Sequence, residues 1–157
     1  REENFFTFIK LVHKGWGLQI GKAGKELSLI YVADMVQAML TTCHPSQQRG
    51  CSYFVTDGQV HVWEHVAKEC ARIMNVRLKT LKIPEGVLHP IALLFEAWAS
   101  FSSQPALFDR QRMIDIQQSS WSASPEKFFE AVGFEPQYEL SRGLAQTIQW
   151  YQQQKWF

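Results

Sequence analysis

The chain of 157 residues lacks a disulfide framework: its three cysteines, Cys43, Cys51 and Cys70, are odd in number and form no Cys-x-x-Cys pair. Reduced thiols in a cytoplasmic protein are expected, with buried small hydrophobes as the default role. It also lacks an excess of either charge. Sixteen Lys and Arg against fifteen Asp and Glu leave +1, so no whole-chain field draws nucleic acid or anionic lipid. No apolar run reaches the roughly 20 residues that span a bilayer; the most apolar stretch, Val87 to Phe101, is interrupted by His89, Pro90 and Glu96. Internal repeats and low-complexity linkers are missing as well. Arg1-Glu2-Glu3-Asn4 has no initiator Met and no basic leader, and the chain is expected to begin inside a longer one.

What is present is material for a packed core, with 46% hydrophobic and 20% charged residues. Glu3 to Lys14 carries Phe5, Phe6, Phe8, Ile9 and Val12 at helical spacing and meets Gly15 and Gly17. Leu18 to Ile20 and Leu27 to Val32 read as short strands around a glycine-bearing turn. Asp34 is placed to cap a helix whose buried face is Met35, Val36, Met39 and Leu40 and which ends before His44-Pro45. Cys51 to Thr56 alternates as the best strand of the chain and is followed by an Asp57-Gly58 turn. A helix from His61 to Asn75, a strand from Leu78 to Ile83, and a long apolar helix from Pro84 to about Ser102 follow, with a further helical piece from Pro105 to Gln118. Ser124-Pro125-Glu126 starts a short helix that Gly133 ends, and Glu139 to Lys155 forms the last helix with Leu140, Leu144, Ile148 and Tyr151 on one face. Strand, helix, strand is the α/β order.

Chemistry is sparse. The glycines at 15, 17, 21 and 24 do not have the Gly-x-Gly-x-x-Gly spacing of a dinucleotide loop, and turns are their default role. His61 and His65 are four apart, a spacing that metal ligands use, but no second cluster completes a site and His61 reads as a helix-start residue. Asp34 and Asp57 read as cap and turn formers. No catalytic residue and no metal ligand is assigned. Arg110 and Arg112 are close enough to approach one anionic group together, although a solvated face is the commoner use of such a pair.

Four stretches nevertheless occur in an order that carries a resemblance. Leu29-Ile30-Tyr31-Val32-Ala33-Asp34 reads as an aromatic-Val-x-Asp strand end leading into a helix. It is followed by Tyr53-Phe54-Val55-Thr56-Asp57-Gly58, by Ser124-Pro125-Glu126-Lys127 to Gly133-Phe134-Glu135-Pro136, and by Leu140-Ser141-Arg142-Gly143-Leu144 to Trp150-Tyr151. Over nearly its whole length the chain resembles the C-terminal, substrate-binding half of the extended short-chain dehydrogenases/reductases. The resemblance implies an α/β fold, the later part of a Rossmann-like doubly wound domain, with a few short strands and a mostly helical substrate-binding region spanning residues 1–157.

It further implies that the glycine-rich NAD or NADP loop and the catalytic Tyr-x-x-x-Lys pair belong to a preceding half, so that this chain alone is inactive and binds no cofactor. Tyr31, Tyr53 and Tyr138 are followed four residues later by Met35, Asp57 and Arg142, and the pair is expected outside this chain. Nucleotide-sugar epimerases and dehydratases of the family carry Arg-Asp where Leu27-Ser28 stands here, and an apolar side chain cannot neutralise a phosphate. The resemblance therefore points to the branch of 3β-hydroxysteroid dehydrogenases and dihydroflavonol reductases, which act on the hydroxyl or keto group of bulky, mostly apolar substrates. Phe5, Leu29 and Tyr31 are expected to line the substrate pocket, with Arg110 and Arg112 as polar anchors. A nucleotide-sugar enzyme and a non-catalytic binding module are the alternatives. Expected partners are a small-molecule substrate, the missing N-terminal half and a second copy through a bare sheet edge and cofactor-facing surface; peripheral membrane contact through Val87 to Phe101 is a further reading.

Overall fold

Apolar residues at three- and four-residue spacing form helix α1 (Glu3–His13), whose inner face buries Ile9 and Val12 completely. Gly15 ends it with φ at +83°, and its N–H donates to the Val12 carbonyl at 2.8 Å. The computed structural model describes residues 3–21, 23–43, 50–84, 86, 118 and 120–156. After α1 come β1 (Trp16–Ile20), β2 (Glu26–Ser28), α2 (Val32–Thr42), β3 (Val60–Val62), α3 (Trp63–Ile73), β4 (Lys79–Ile83), β5 (Ser120–Trp121), α4 (Glu126–Val132) and α5 (Leu140–Gln153). The architecture is mixed α/β.

The strands form two small sheets. In one, β1 pairs with β4 in parallel, from Trp16 opposite Lys79 to Ile20 opposite Ile83. Parallel neighbours need a long crossover, and here it contains β2, α2, β3 and α3. In the other, β2 lies between an antiparallel β3 and a parallel β5, so that Leu27 faces His61 on one side and Trp121 on the other.

Helix α3 is central. Its Val66, Ala67, Cys70 and Ala71 recur on one stripe and pack with Ile9 and Val12 of α1 and with Leu144, Ile148 and Tyr151 of α5. Burial in this apolar cluster pushes the Cys70 thiol up to about 12. Cys43 and Cys51 are exposed instead, so the expectation of buried thiols holds for Cys70 alone. A second cluster joins Ala38 of α2, Phe128 of α4 and Phe134, with Tyr53 and Val55 packed against it. The start of α4 follows the serine and proline signal, with the Glu126 N–H donating to Ser124 Oγ at 3.3 Å. Gly133 ends it at φ +63°, in the left-handed region.

Four readings change, and the face of α2 expected to be buried is not, since Val36, Met39 and Leu40 are exposed. The two strands expected around one turn belong to different sheets, and residues 29–31 leave the strand so that α2 begins at Val32. Asp34 does not cap α2: it lies in the first turn, and its buried carboxylate accepts from the backbone N–H groups of Gln137 and Tyr138. His61 sits in β3 rather than at a helix start, because pairing with Leu27 holds residues 60–62 extended. Cys51 to Thr56 is not a strand. Its side chains do alternate, with Tyr53 and Val55 half-buried and Phe54 exposed, but a strand needs a ladder, and no described segment pairs with it. The helices expected from Pro84 to Gln118 lie outside the described residues. Among the described residues no helix is long and apolar enough to cross a membrane.

Candidate functional site

Two cavities adjoin α1: Phe5 lines one and Phe8, a turn further along the same face with its ring 5.7 Å from that of Phe5, lines the other. The first, about 390 Å³, is walled by Phe5, Leu29, Tyr31, Asp57, Tyr138 and Glu139. Phe5, Leu29 and Tyr31, the three described residues that the sequence places in a pocket, therefore share one cavity. Arg110 and Arg112 lie outside the described residues.

Tyr31 is held from several directions. Its Oη donates to Gln146 Oε1 at 2.8 Å, and its ring centroid is 4.5 Å from that of Tyr138. The Arg142 guanidinium in turn lies 4.5 Å from the Tyr138 ring centroid, within cation–π range. Gly143 lets α5 lie against Tyr31, since a Cβ there would come within 3.3 Å of the Tyr31 side chain. Asp34, 1% exposed, fixes the same wall from behind. Its carboxylate accepts from Gln137 N–H at 3.1 Å and Tyr138 N–H at 3.0 Å, tying the α4–α5 connection to α2.

Asp57 forms the opposite rim. Its Oδ2 is 2.6 Å from His61 Nε2, with the two side chains only 7% and 5% exposed. A carboxylate oxygen can only accept, so Nε2 carries the shared proton. Asp57 Oδ1 accepts from Gln59 N–H at 3.0 Å, and Asp57 N–H donates to the Leu29 carbonyl at 2.8 Å, which clips the turn to the end of β2. Asp57 is thus the turn former expected from the sequence, with His61 as an additional partner. The described lining of this cavity carries two carboxylates, Asp57 and Glu139, and no Lys or Arg.

The second cavity, about 490 Å³, lies between α1, β1, β2 and β5 and is walled by Phe8, Leu18, Ile20, Leu27, Trp63 and Trp121. The Phe8 and Trp63 ring centroids are 4.4 Å apart at 45°. Its charged described residues, Lys25 and Glu26, are of opposite sign. Apart from the remark on Leu27, sequence reasoning missed this site. The available signal was the alternation Leu18, Ile20 in β1, which puts both side chains on one face, toward the strand that carries Leu27.

Other sequence candidates resolve differently. Among the described residues no group of three His, Cys, Asp or Glu could hold a metal ion, and His65 is exposed on α3 while His61 belongs to β3. A dinucleotide cradle needs glycines between a strand and the start of a helix. Gly15 and Gly21 flank β1, Gly17 lies within it and Gly24 precedes β2, so they do not fit a cofactor phosphate. The Tyr-x-x-x-Lys spacing expected to be missing does occur once, at Tyr151 and Lys155. It is not a catalytic pair here: Tyr151 is buried in the core and stacked 5.3 Å from Trp156, and Lys155 lies beyond the end of α5 at φ 54°. Away from both cavities, Glu69 accepts from Arg72 and Ser141, which holds its carboxyl down at about 2.

No family model matches the chain. A curated ceramide reductase of Caulobacter vibrioides is 21% identical over 131 residues, covering 83% of this chain and 41% of that protein. RMD from Pseudomonas aeruginosa complexed with NADPH superposes over 98% of this chain and 44% of its own, at 14% identity and TM-score 0.63. dTDP-glucose 4,6-dehydratase of Bacillus anthracis in complex with NAD covers 96% and 39%, at 13% identity and TM-score 0.63. UDP-glucose 4-epimerase of Thermotoga maritima with UDP-glucose covers 95% and 39%, at 16% identity and TM-score 0.65. The chain spans about two fifths of the length of these proteins. Its fold is the Rossmann-like segment that RMD, dTDP-glucose 4,6-dehydratase and UDP-glucose 4-epimerase carry in the matched part.

Proposed function

We propose that the chain is the substrate-binding portion of an NAD- or NADP-dependent oxidoreductase acting on a secondary alcohol or ketone of a bulky, mostly apolar substrate. The cofactor-binding half, with the proton-transferring tyrosine, belongs to a further segment. The observation that carries this reading is the charge of the two cavities. One presents Asp57 and Glu139 without a described cation, and the other is almost wholly apolar with one charge of each sign. A diphosphate would meet no described arginine in either, whereas an apolar body would lose water against Leu18, Ile20 and Leu27. Similarity to a ceramide reductase supports the reading, because a ceramide is a lipid. It supports an apolar substrate more broadly than the steroid or flavonol class.

The second reading, a nucleotide-sugar epimerase or dehydratase, is favoured by solved structures of this fold that hold UDP-glucose or UDP-glucuronic acid. It would need Arg110 and Arg112 as phosphate anchors. A cytoplasmic location goes with the oxidoreductase reading, supported by three cysteines of which none forms a disulfide. Self-association through the exposed apolar side of α2 is part of the same proposal. The test is ketone reduction with NADH or NADPH by the protein joined to its cofactor-binding half. Tyr31→Ala and Arg110→Ala are each expected to raise KM for the ketone, and Arg110→Ala to abolish any activity on a nucleotide sugar. Unchanged kinetics in Tyr31→Ala would remove its role.

A further inference from the structure

We infer that the cavity between α1, β1 and β2 seats a linear aliphatic chain, so that the substrate is a long-chain amphiphile with a neutral head. The inference rests on the oxidoreductase reading for its meaning as a substrate site, but the binding itself does not. Leu18 and Ile20 are alternate residues of β1 and stand about 7 Å apart along one wall, as strand geometry requires. Leu27 and Leu11 continue that wall as aliphatic side chains. This makes an elongated surface of branched side chains, which suits methylene groups. The aromatic side is not a slot for a flat ring system, because the Phe8 and Trp63 rings, with centroids 4.4 Å apart, pack on each other and leave no gap between them.

The volume, about 490 Å³, falls within the range of small-molecule sites, roughly 300–1,000 Å³. Burying methylene groups is favourable in proportion to the apolar area removed from water, so several together hold a chain without any ionic anchor. The polar groups are few: Thr7, Gln118 and the oppositely charged neighbours Lys25 and Glu26. Such a set can hydrogen-bond a hydroxyl or amide, and because Lys25 and Glu26 offset each other it offers no net positive charge to balance the desolvation of a carboxylate head. The exposed Trp121, at 59%, shows that the cavity opens to solvent on the β5 side.

Trp63 and Trp121 make the site directly readable. The 157-residue chain is titrated with a dibrominated long-chain alcohol, whose bromines quench nearby indoles, and tryptophan fluorescence is followed. Saturable quenching is expected, and Trp63→Phe with Trp121→Phe should remove most of it even though four other tryptophans remain. Trp150→Phe, outside the cavity, should leave it intact. Leu27→Arg places a charge among the aliphatic groups and should weaken half-saturation by about tenfold or more. The matching dibrominated fatty acid should bind more weakly than the alcohol. Absence of saturable quenching, or quenching that persists in the double tryptophan variant, overturns the inference. Saturable quenching in a protein whose cofactor-complete form oxidises no NADH or NADPH upholds the chain site and overturns the oxidoreductase reading instead.

Discussion

Helices α2 and α3 are both 11 residues long and both amphipathic, yet they end up in opposite surroundings. On α3, Val66, Ala67, Cys70 and Ala71 are all buried between α1 and α5. On α2, Ala38 and Asp34 are buried, while Val32, Val36, Met39 and Leu40 remain 47–65% exposed. The exposed Phe54 adds to the same apolar surface. An apolar stripe therefore predicts that a helix face seeks cover, not that the cover is in the same chain. The difference also separates what holds the molecule together from what it offers to others.

The comparison can be broken most sharply by truncation. Phe128→Ala, at the centre of the second cluster, should cost about 3–5 kcal/mol, and Ile148→Ala on α5 about 2–5 kcal/mol, measured by denaturant unfolding. Met39→Ala on the exposed side of α2 should stay within about 0.5 kcal/mol of the parent. An equal loss at Met39 would show that the α2 face is covered in solution. Next in size is Asp34→Asn. It leaves the Gln137 and Tyr138 N–H groups without their charged acceptor, at an expected cost of about 1–3 kcal/mol, and should loosen Tyr138 over the first cavity.

The α2 surface itself gives a smaller effect. Val36→Gln with Leu40→Gln should reduce concentration-dependent self-association in light scattering while leaving stability almost unchanged. A parent chain that is monomeric at every concentration would count against that surface as a contact. The smallest effect concerns α3 and α5. Glu69 is held low by Arg72 and Ser141, so its contribution is present above the ordinary carboxylate range and fades as pH falls toward about 2. Glu69→Gln should flatten that acid limb and cost at most about 1 kcal/mol at neutral pH, because Arg72 is largely exposed.

Legibility in the sequence followed the range of the interaction. α1, α4, α5 and β4 were readable because apolar spacing, Gly15, Gly133 and Ser124 are local signals. The alternation at 51–56 was readable too, but a ladder depends on a second strand, which the alternation does not contain. Asp34 looked like a cap because its true partners, Gln137 and Tyr138, are about a hundred residues away. For the site, Leu29 and Tyr31 were reachable through the motif around Asp34, and Phe5 through helical spacing. Asp57 and Glu139 join them only through folding, and the wall formed by Leu18, Ile20, Leu27, Trp63 and Trp121 is assembled from three strands and a helix. His61 shows the limit most plainly: four residues from His65 on paper, it is paired with Asp57 in space.

The central claim is that this fold serves an apolar substrate and not a nucleotide sugar. The most direct measurement compares initial rates of NADH or NADPH oxidation by the protein joined to its cofactor-binding half, with a long-chain aliphatic ketone and with a UDP-linked 4-keto sugar side by side. Turnover of the aliphatic ketone, lost in Leu27→Arg, with no turnover of the nucleotide sugar is the predicted result. Turnover of the nucleotide sugar alone, unaffected by Leu27→Arg, would contradict it.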